Sequence, residues 1–215
     1  MTKPSRYIVV EGPIGVGKTS LAQKLASEYG AALMLEKPAE NPFLEHFYRK
    51  PKQYALSTQL HFLMQRAQQI EELRQSDLFH PAQVADFMIE KDRLFAEITL
   101  NRNELALYDQ IYRHLTLDAP VPDLVIYLQA PVDILQLRIN QRGIASEQQI
   151  RDDYLQRLSE SYSRFFHDYD ECALLTVNTQ AVDLIHNADD YGAILNKINH
   201  IHCGRHYFNQ SSFVL

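Results

Sequence analysis

The chain has 215 residues, of which 46% are hydrophobic and 22% are charged, and this length and composition favour a single globular domain. The formal net charge is −6 and no long basic run is present, which argues against an electrostatic grip on nucleic acid. No apolar stretch reaches the roughly 18 residues of a membrane span, and the N-terminal residues lack a signal-peptide pattern. With only two cysteines, Cys172 and Cys203, we expect a cytoplasmic protein without a membrane or nucleic acid partner.

Apolar runs of strand type alternate with segments of helical spacing along the chain. In chain order the predicted elements are strand 7–10, helix 20–29, strand 32–35, short helix 43–48, long helix 54–75, strand 84–87, long helix 93–115, strand 124–128, helix 131–139, helix 146–166, strand 174–177 and helix 191–198. Ser146 with Gln149 has the pattern of a capping box at the start of one helix. The alternation predicts an α/β fold, with a five-stranded parallel sheet covered by helices on both faces.

The segment between the first strand and the first helix matches the phosphate-binding pattern G-x-x-x-x-G-K-[ST] in full. It reads Gly12-Pro13-Ile14-Gly15-Val16-Gly17-Lys18-Thr19 and is followed by Ser20. The glycines allow backbone N–H groups to turn toward an anion, and the helix that follows directs its positive end to the same place. Lys18 can reach the β- and γ-phosphates, and Thr19 can offer its hydroxyl to Mg²⁺. The sequence therefore predicts a P-loop that binds ATP with Mg²⁺.

A P-loop does not by itself distinguish kinases from switch GTPases, motors and binding modules. The sequence contains neither the Asn-Lys-x-Asp pattern that reads guanine nor the Leu-Ser-Gly-Gly-Gln signature of transporter ATPases. Small-molecule kinases therefore fit best.

Further motifs resemble the deoxynucleoside kinase family over nearly the whole chain. They are the extended P-loop from Glu11 to Ser20, Glu36 after the second strand, Tyr48 in a Tyr-x-x-Pro motif, Gln59 and Arg66 at the family's spacing, the LID-like run Arg138-Ile139-Asn140-Gln141-Arg142-Gly143, and Glu147. The resemblance implies a three-layer P-loop kinase fold in one domain, residues 1–215, with the P-loop at 12–19, a LID at about 138–147 and a C-terminal tail at about 200–215. It also implies a homodimer that pairs long helices.

The same resemblance implies ATP-dependent phosphorylation of the 5′-hydroxyl of a deoxynucleoside, in a pattern closer to bacterial purine-preferring members. Glu36 would orient the hydroxyl and take its proton, while Lys18 and Arg142 would stabilise the transferring phosphoryl group. Arg138 lies four residues before Arg142 and would join it over the phosphates. The expected substrate-binding residues are Glu36, Leu44, Tyr48, Gln59, Arg66, Phe95 and Glu147, and the expected Mg²⁺ residues are Thr19 and Asp86.

Two of these roles have alternatives that the sequence leaves open. Arg66 could read the base or pair with an acid, and Phe95 and Leu44 could flank the base or belong to the ordinary core. Tyr48 and Glu147 are expected to hold the sugar 3′-hydroxyl between a donor and an acceptor.

The sequence departs from the family at two positions that usually carry arginine. Phe87 follows Asp86 where the family has an arginine, and Ile144 replaces a LID arginine. Lys91 and Arg93 are candidates to supply the missing charge, unless the alignment is shifted by one residue.

Two other functions remain open from the sequence, namely a nucleoside monophosphate kinase such as thymidylate kinase and a nucleotide-binding regulatory module without turnover. A C-terminal cluster has spacings that zinc could use, but its position in a terminal stretch argues against a structural metal. The cluster consists of His200, His202, Cys203 and His206.

Overall fold

The computed structural model describes residues 6–76, 82–115 and 119–209. A parallel sheet runs through these residues in the order β2-β3-β1-β4-β5-β6. Its strands are β1 (Arg6–Glu11), β2 (Ala32–Met34), β3 (Ala82–Ala85), β4 (Leu124–Gln129), β5 (Ala173–Asn178) and β6 (Arg205–Phe208). The α/β architecture and the parallel sheet are as predicted, but the described sheet has six strands rather than five.

Helices cover both faces of the sheet. They are α1 (Lys18–Tyr29), α2 (Leu44–Arg49), α3 (Pro51–Ser76), α4 (Glu90–Thr99), α5 (Arg102–Leu115), α6 (Val132–Arg142), α7 (Asp152–Asp168) and α8 (Ala188–Asn199), with 3₁₀ turns at Pro38–Glu40 and Glu147–Gln149. None of the helices within the described ranges combines the length and the apolar character that a membrane crossing requires.

The layers follow from the alternation of side chains along the buried strands. In β1, Ile8 and Val10 belong to a core shared with α1, α6 and α8, whereas Val9 belongs to a core shared with α4 and α7. A third cluster, centred on Leu63 and Tyr108, joins α3 to α4 and α5. The carboxyl ends of the strands therefore meet at one edge, flanked by helices from both layers.

The predicted helix 93–115 is wrong as a single element, because it divides between Thr99 and Arg102. Asn101 causes the break by capping α5. Its side-chain oxygen accepts from the N–H groups of Asn103 (3.0 Å) and Glu104 (3.1 Å), and its own N–H donates to the Glu104 carboxylate (3.0 Å).

The predicted capping box at Ser146 is also wrong. Ser146 has helical backbone angles and makes no capping bond through its side chain. The 3₁₀ turn intervenes, and α7 begins only at Asp152 with Arg151 before it. The third strand ends earlier than predicted, at Ala85, so that Asp86 lies just beyond the sheet.

The predicted C-terminal tail contains β6, which pairs with β5, and this corrects the five-strand prediction. The guanidinium of Arg205 secures the strand by donating to the carbonyls of Phe166 (3.0 Å) and Tyr169. His206 lies against the Cys203 carbonyl (2.9 Å), and the described residues contain no group of three or more His, Cys, Asp or Glu side chains arranged to hold a metal ion. Residues 210–215 lie outside the described residues.

Candidate active site

The P-loop follows β1 and requires glycine at two points. Gly12 has φ of +147°, and a Cβ there would lie 2.2 Å from the Leu128 carbonyl oxygen. Gly15 has φ of +84°, and a Cβ would lie 2.8 Å from the Leu135 carbonyl oxygen. The loop therefore passes so close to β4 and α6 that a side chain cannot be accommodated.

Lys18 begins α1 and turns its amine back over the loop. Its Nζ donates to the carbonyls of Gly12 (2.8 Å) and Pro13 (3.2 Å). Burial and the neighbouring Lys91 lower the pKa of Lys18 to about 8. A half-buried cation at the positive end of a helix forms a site suited to phosphate.

Asp86, just after β3, connects the P-loop to the end of β2. One carboxylate oxygen accepts from the Thr19 hydroxyl (2.5 Å) and the other from the backbone N–H of Glu36 (2.7 Å). A hydroxyl and a carboxylate supply the oxygen ligands that Mg²⁺ prefers, so these two residues fit the predicted metal.

Glu36 is held between two cations. Its carboxylate lies 2.5 Å from Arg66 Nη2 and 2.6 Å from Lys91 Nζ. Burial alone would raise the pKa of Glu36, but Arg66 and Lys91 outweigh that effect and hold the pKa well below its usual range. The carboxylate is therefore charged in this arrangement.

Arg66 pairs with two acids, one of the two roles that the sequence left open for it. Besides Glu36, its Nε lies 2.6 Å from Asp92, and the side chains of Arg66 and Asp92 are 1% and 2% exposed. Arg66 Nη1 and Asp92 Oδ2 are buried and make no hydrogen bond within the described residues. Within the described residues, a donor and an acceptor are thus left without a protein partner beside Glu36.

Lys91, and not Arg93, brings a positive charge into the site. Lys91 is buried and contacts Glu36, whereas Arg93 is exposed and pairs with Glu97 and Asp109. Phe87 is buried, and its ring centre lies 5.0 Å from the Arg66 guanidinium carbon.

A cavity of about 120 Å³ lies beside Glu36, and we call it the acceptor cavity. All the predicted substrate-binding residues line it: Glu36, Leu44, Tyr48, Gln59, Arg66, Phe95 and Glu147. The sequence prediction named Lys91 as a possible cation but missed other lining residues, among them Phe47, Thr58, Phe62, Asp92 and Tyr154. These come from α2, α3, α4 and α7, and their contribution depends on how the helices pack.

A larger cavity of about 720 Å³, the donor cavity, lies on the other side of the P-loop. It is lined by Gly15 to Ser20, by α6 and by segment 179–186. Ile14 lines the acceptor cavity, and four residues line both cavities: Gly15, Lys18, Thr19 and Arg142. The two cavities therefore meet at the P-loop lysine.

The two arginines predicted for the LID have different partners. Arg138 donates to the Thr179 carbonyl (2.7 Å) and hydroxyl (2.8 Å), on the wall of the donor cavity. Arg142 pairs with Glu147 across the turn at Gly143. Ile144 is exposed.

Glu11 is a buried acid to which the sequence prediction gave no role of its own. It accepts hydrogen bonds from the N–H groups of Gly12 (2.9 Å) and Met88 (3.0 Å) and from the Tyr162 hydroxyl (3.0 Å). It thereby fixes the P-loop to the segment that leads into α4. An acid at the end of a buried strand is the signal that could have identified it.

The family model described as deoxynucleoside kinase matches residues 8–203. The chain belongs to the deoxynucleoside kinase family. It is 35% identical over 196 residues to the deoxyguanosine kinase of Bacillus subtilis (strain 168), covering 87% of this chain and 93% of that relative. It is 29% identical over 208 residues to the deoxyadenosine kinase of Lactobacillus acidophilus, covering 90% and 95%.

Solved structures agree on the fold of this deoxynucleoside kinase. The structure of M. mycoides deoxyadenosine kinase with bound dATP matches with a TM-score of 0.78 at 23% identity, covering 90% of this chain and 99% of that chain. The predicted family, three-layer fold and kinase activity are confirmed. As a member of the family, the protein transfers a phosphoryl group from ATP to a deoxynucleoside, which favours this reading over a monophosphate kinase or a non-catalytic module.

Proposed function

We propose that this single-domain kinase, residues 1–215, phosphorylates the 5′-hydroxyl of a purine deoxynucleoside with ATP and Mg²⁺. The observation that carries the proposal is that Glu36 lines the same cavity as Lys18 and Thr19. A carboxylate and a phosphate-binding lysine in one cavity can bring an alcohol and a phosphoryl donor together.

In this proposal Glu36 orients the 5′-hydroxyl and accepts its proton as the new oxygen–phosphorus bond forms. The backbone of the P-loop (Gly12, Pro13, Ile14, Gly15, Val16, Gly17, Lys18, Thr19 and Ser20) surrounds the phosphates. Lys18 and Arg142 spread the charge of the transferring group, and Arg138 holds the donor nucleotide. Phosphoryl transfer needs mainly positioning and charge stabilisation, so a base of low pKa is compatible with it.

The polar atoms of the acceptor cavity support a purine base. Arg66 Nη1 and Asp92 Oδ2 offer a buried donor and a buried acceptor, and Gln59 can act as both. Leu44 and Phe95 supply apolar contacts for the faces of the ring. The relatives named above are a deoxyguanosine kinase and a deoxyadenosine kinase, which also favours a purine.

The sugar would be bound at the other end of the cavity. Tyr48 and Glu147 both line it, and they can hold the 3′-hydroxyl between a donor and an acceptor. The salt bridge from Glu147 to Arg142 connects this sugar contact to the LID. Binding of the nucleoside would thereby be coupled to the position of Arg142.

Thr19 and Asp86 would hold the magnesium ion. Their oxygen atoms lie 2.5 Å apart beside Lys18, which is a suitable donor set. When bound, the metal would neutralise charge on the β- and γ-phosphates of ATP.

We also propose a homodimer that acts in the cytoplasm. Two apolar side chains on the helix pair α3 and α5 are exposed, Met64 at 57% and Leu107 at 47%, and a second copy could cover them. Both cysteines, Cys172 and Cys203, are free thiols, which supports a reducing compartment. Light scattering at micromolar concentration tests the dimer, and a mass of one chain, 24.9 kDa, would contradict it.

The activity is tested by ADP release with the four deoxynucleosides, the four ribonucleosides and their 5′-monophosphates. We expect the highest kcat/KM with deoxyguanosine or deoxyadenosine. Lys18→Met should abolish release, whereas Lys37→Met, at an exposed lysine beside Glu36, should not. Release with monophosphates alone would indicate a monophosphate kinase, and no release with any acceptor would indicate a non-catalytic module.

A further inference from the structure

Lys91 is a buried cation that approaches the reacting groups from outside the P-loop. It lies in the first turn of α4 and is 3% exposed. Its Nζ is 2.6 Å from Glu36 Oε2, and among the described residues Glu36 is the one hydrogen-bond partner of this amine. An ammonium group carries three donors, so Lys91 has the capacity to bind a second anion.

Arg66, the other partner of Glu36, differs from Lys91 in this respect. Its guanidinium is fixed by Asp92 as well as by Glu36, with both acids within 2.6 Å. Lys91 instead has a flexible four-carbon side chain, and its amine lies 5.8 Å from the centre of the Phe95 ring. Of the two cations, Lys91 is the one that can turn without leaving a buried acid unpaired, because Arg66 would still hold Glu36.

Lys91 and Lys18 face the same cavity from two different helices, α4 and the start of α1. Lys91 is buried and Lys18 is half-buried, and two ammonium groups that face one cavity repel each other and are stabilised when an anion enters between them. Both residues line the acceptor cavity with Thr19, where the terminal phosphate of a bound donor would meet the acceptor.

We propose that Lys91 changes partner during turnover. In the free enzyme it pairs with Glu36, and when ATP and the nucleoside are bound it donates to the transferring phosphoryl group. Glu36 is then available to the 5′-hydroxyl. As the new oxygen–phosphorus bond forms and the bond between that phosphorus and ADP breaks, the hydroxyl proton passes to Glu36, and Lys91 stays protonated throughout.

This inference rests on the proposed roles of Glu36 and Lys18, and it assigns to Lys91 the charge that Phe87 does not supply. A Lys91 that stays on Glu36 would only neutralise that carboxylate, and it would contribute equally to the binding of ADP and of ATP. A Lys91 that changes partner would contact the γ-phosphate, which ADP lacks. Affinity for ADP and for an ATP analogue therefore separates the two cases.

The test compares Lys91→Met and Lys91→Arg with Arg93→Met, which alters an exposed residue of the same helix. Calorimetry measures the affinities for ADP and for the non-hydrolysable β,γ-imido analogue of ATP, with deoxyguanosine present. In Lys91→Met we expect the affinity for the ATP analogue to fall about tenfold or more, as for a lost charged hydrogen bond, with the affinity for ADP nearly unchanged.

The kcat of Lys91→Met should fall about 10²-fold, which is more than the change in the KM of the nucleoside. Lys91→Arg should recover part of both losses, and Arg93→Met should match the wild type.

A second variant tests the proposal without altering Lys91. Glu36→Gln removes the competing carboxylate, so a Lys91 that changes partner should bind the analogue more tightly relative to ADP. Equal loss of ADP and analogue affinity in Lys91→Met, or no change in this ratio in Glu36→Gln, would overturn the proposal. If the wild type releases no ADP with any deoxynucleoside, the proposed function fails instead, and the affinity ratio still reports on Lys91.

Discussion

The donor and acceptor cavities are built in different ways. The donor cavity, of about 720 Å³, is formed by the P-loop with the start of α1, by α6 and by segment 179–186. The acceptor cavity, of about 120 Å³, is formed by side chains from α2, α3, α4 and α7 and from the end of β2. Most residues of the first come from two short stretches of the chain, whereas salt bridges between distant residues line the second.

This difference indicates where each function resides. A cradle of backbone N–H groups suits phosphate, which is common to all nucleotides. Side chains are needed to select one acceptor, and here the buried residues Arg66 and Asp92 form a network with Glu36, which is 18% exposed, at the wall of the cavity. Substitutions in the acceptor cavity should therefore change both the catalytic rate and the stability of the fold. Substitutions in the P-loop should change mainly the affinity for ATP.

The largest expected effect is on chemistry, from Glu36→Gln. We expect kcat to fall by about 10²–10⁴, the usual contribution of a general base, while ATP binds at least as tightly as in the wild type. Steady-state kinetics and calorimetry measure the two quantities. Full turnover in this variant would show that Glu36 is not the general base and that the acceptor cavity does not supply this catalytic group.

The next effect is on stability, from Arg66→Met. Removing one partner of a buried charge pair leaves Asp92 and Glu36 without their shared cation and should cost about 3–5 kcal/mol. The matched control is Arg49→Met, whose exposed pair with Glu45 should be worth less than about 1 kcal/mol. Urea unfolding measures both, and similar losses in the two variants would show that the acceptor network does not stabilise the fold.

A smaller effect is expected from Gly12→Ala on the donor side. The added methyl would meet the Leu128 carbonyl, and the left-handed φ adds strain of about 1–3 kcal/mol. We expect weaker ATP binding with little change in nucleoside affinity. Gly17→Ala is the control, because it also has positive φ but meets no atom within 4 Å. Equal effects in both variants would mean that contact with β4 does not shape the loop.

The smallest effect is expected from Tyr48→Phe, which removes one hydroxyl from the sugar end of the acceptor cavity. Loss of one neutral hydrogen bond is worth about 0.5–1.5 kcal/mol, so kcat/KM should fall several-fold and the KM of ATP should be unchanged. A substrate lacking the 3′-hydroxyl should show no difference between Tyr48→Phe and the wild type. If the variant and the wild type still differ with that substrate, Tyr48 contacts a group other than the 3′-hydroxyl.

The sequence could predict the donor side because its information is local. The motif at 12–19, the strand before it and the helix after it lie within one short segment, and all three occur in the structure. Asp92 and Tyr154 could not be assigned in the same way. Arg66 and Asp92 are 26 residues apart, and the contact exists only because α3 packs against α4.

The errors in the predicted fold also arise where local patterns and long-range contacts disagree. The capping box of Asn101 and Glu104 is a local signal that could have divided helix 93–115, but the apolar spacing runs through the break. The pattern at Ser146 looks equally good in the sequence and makes no cap, because the 3₁₀ turn takes its place. Strand β6 is four residues long and is held by Arg205, a contact that a tail of mixed composition does not reveal.

Asp86 has a consequence for how such an enzyme could diverge. Its two carboxylate oxygens bind the Thr19 hydroxyl at 2.5 Å and the Glu36 backbone at 2.7 Å, so one short side chain sets the spacing between phosphate loop and base. A glutamate there would add one carbon–carbon bond, roughly 1.5 Å, to that spacing. As long as Asp86 is kept, the residues around the nucleobase can mutate without disturbing this spacing. Paralogues with new nucleoside preferences could therefore arise by substitution in α2, α3 and α4 alone.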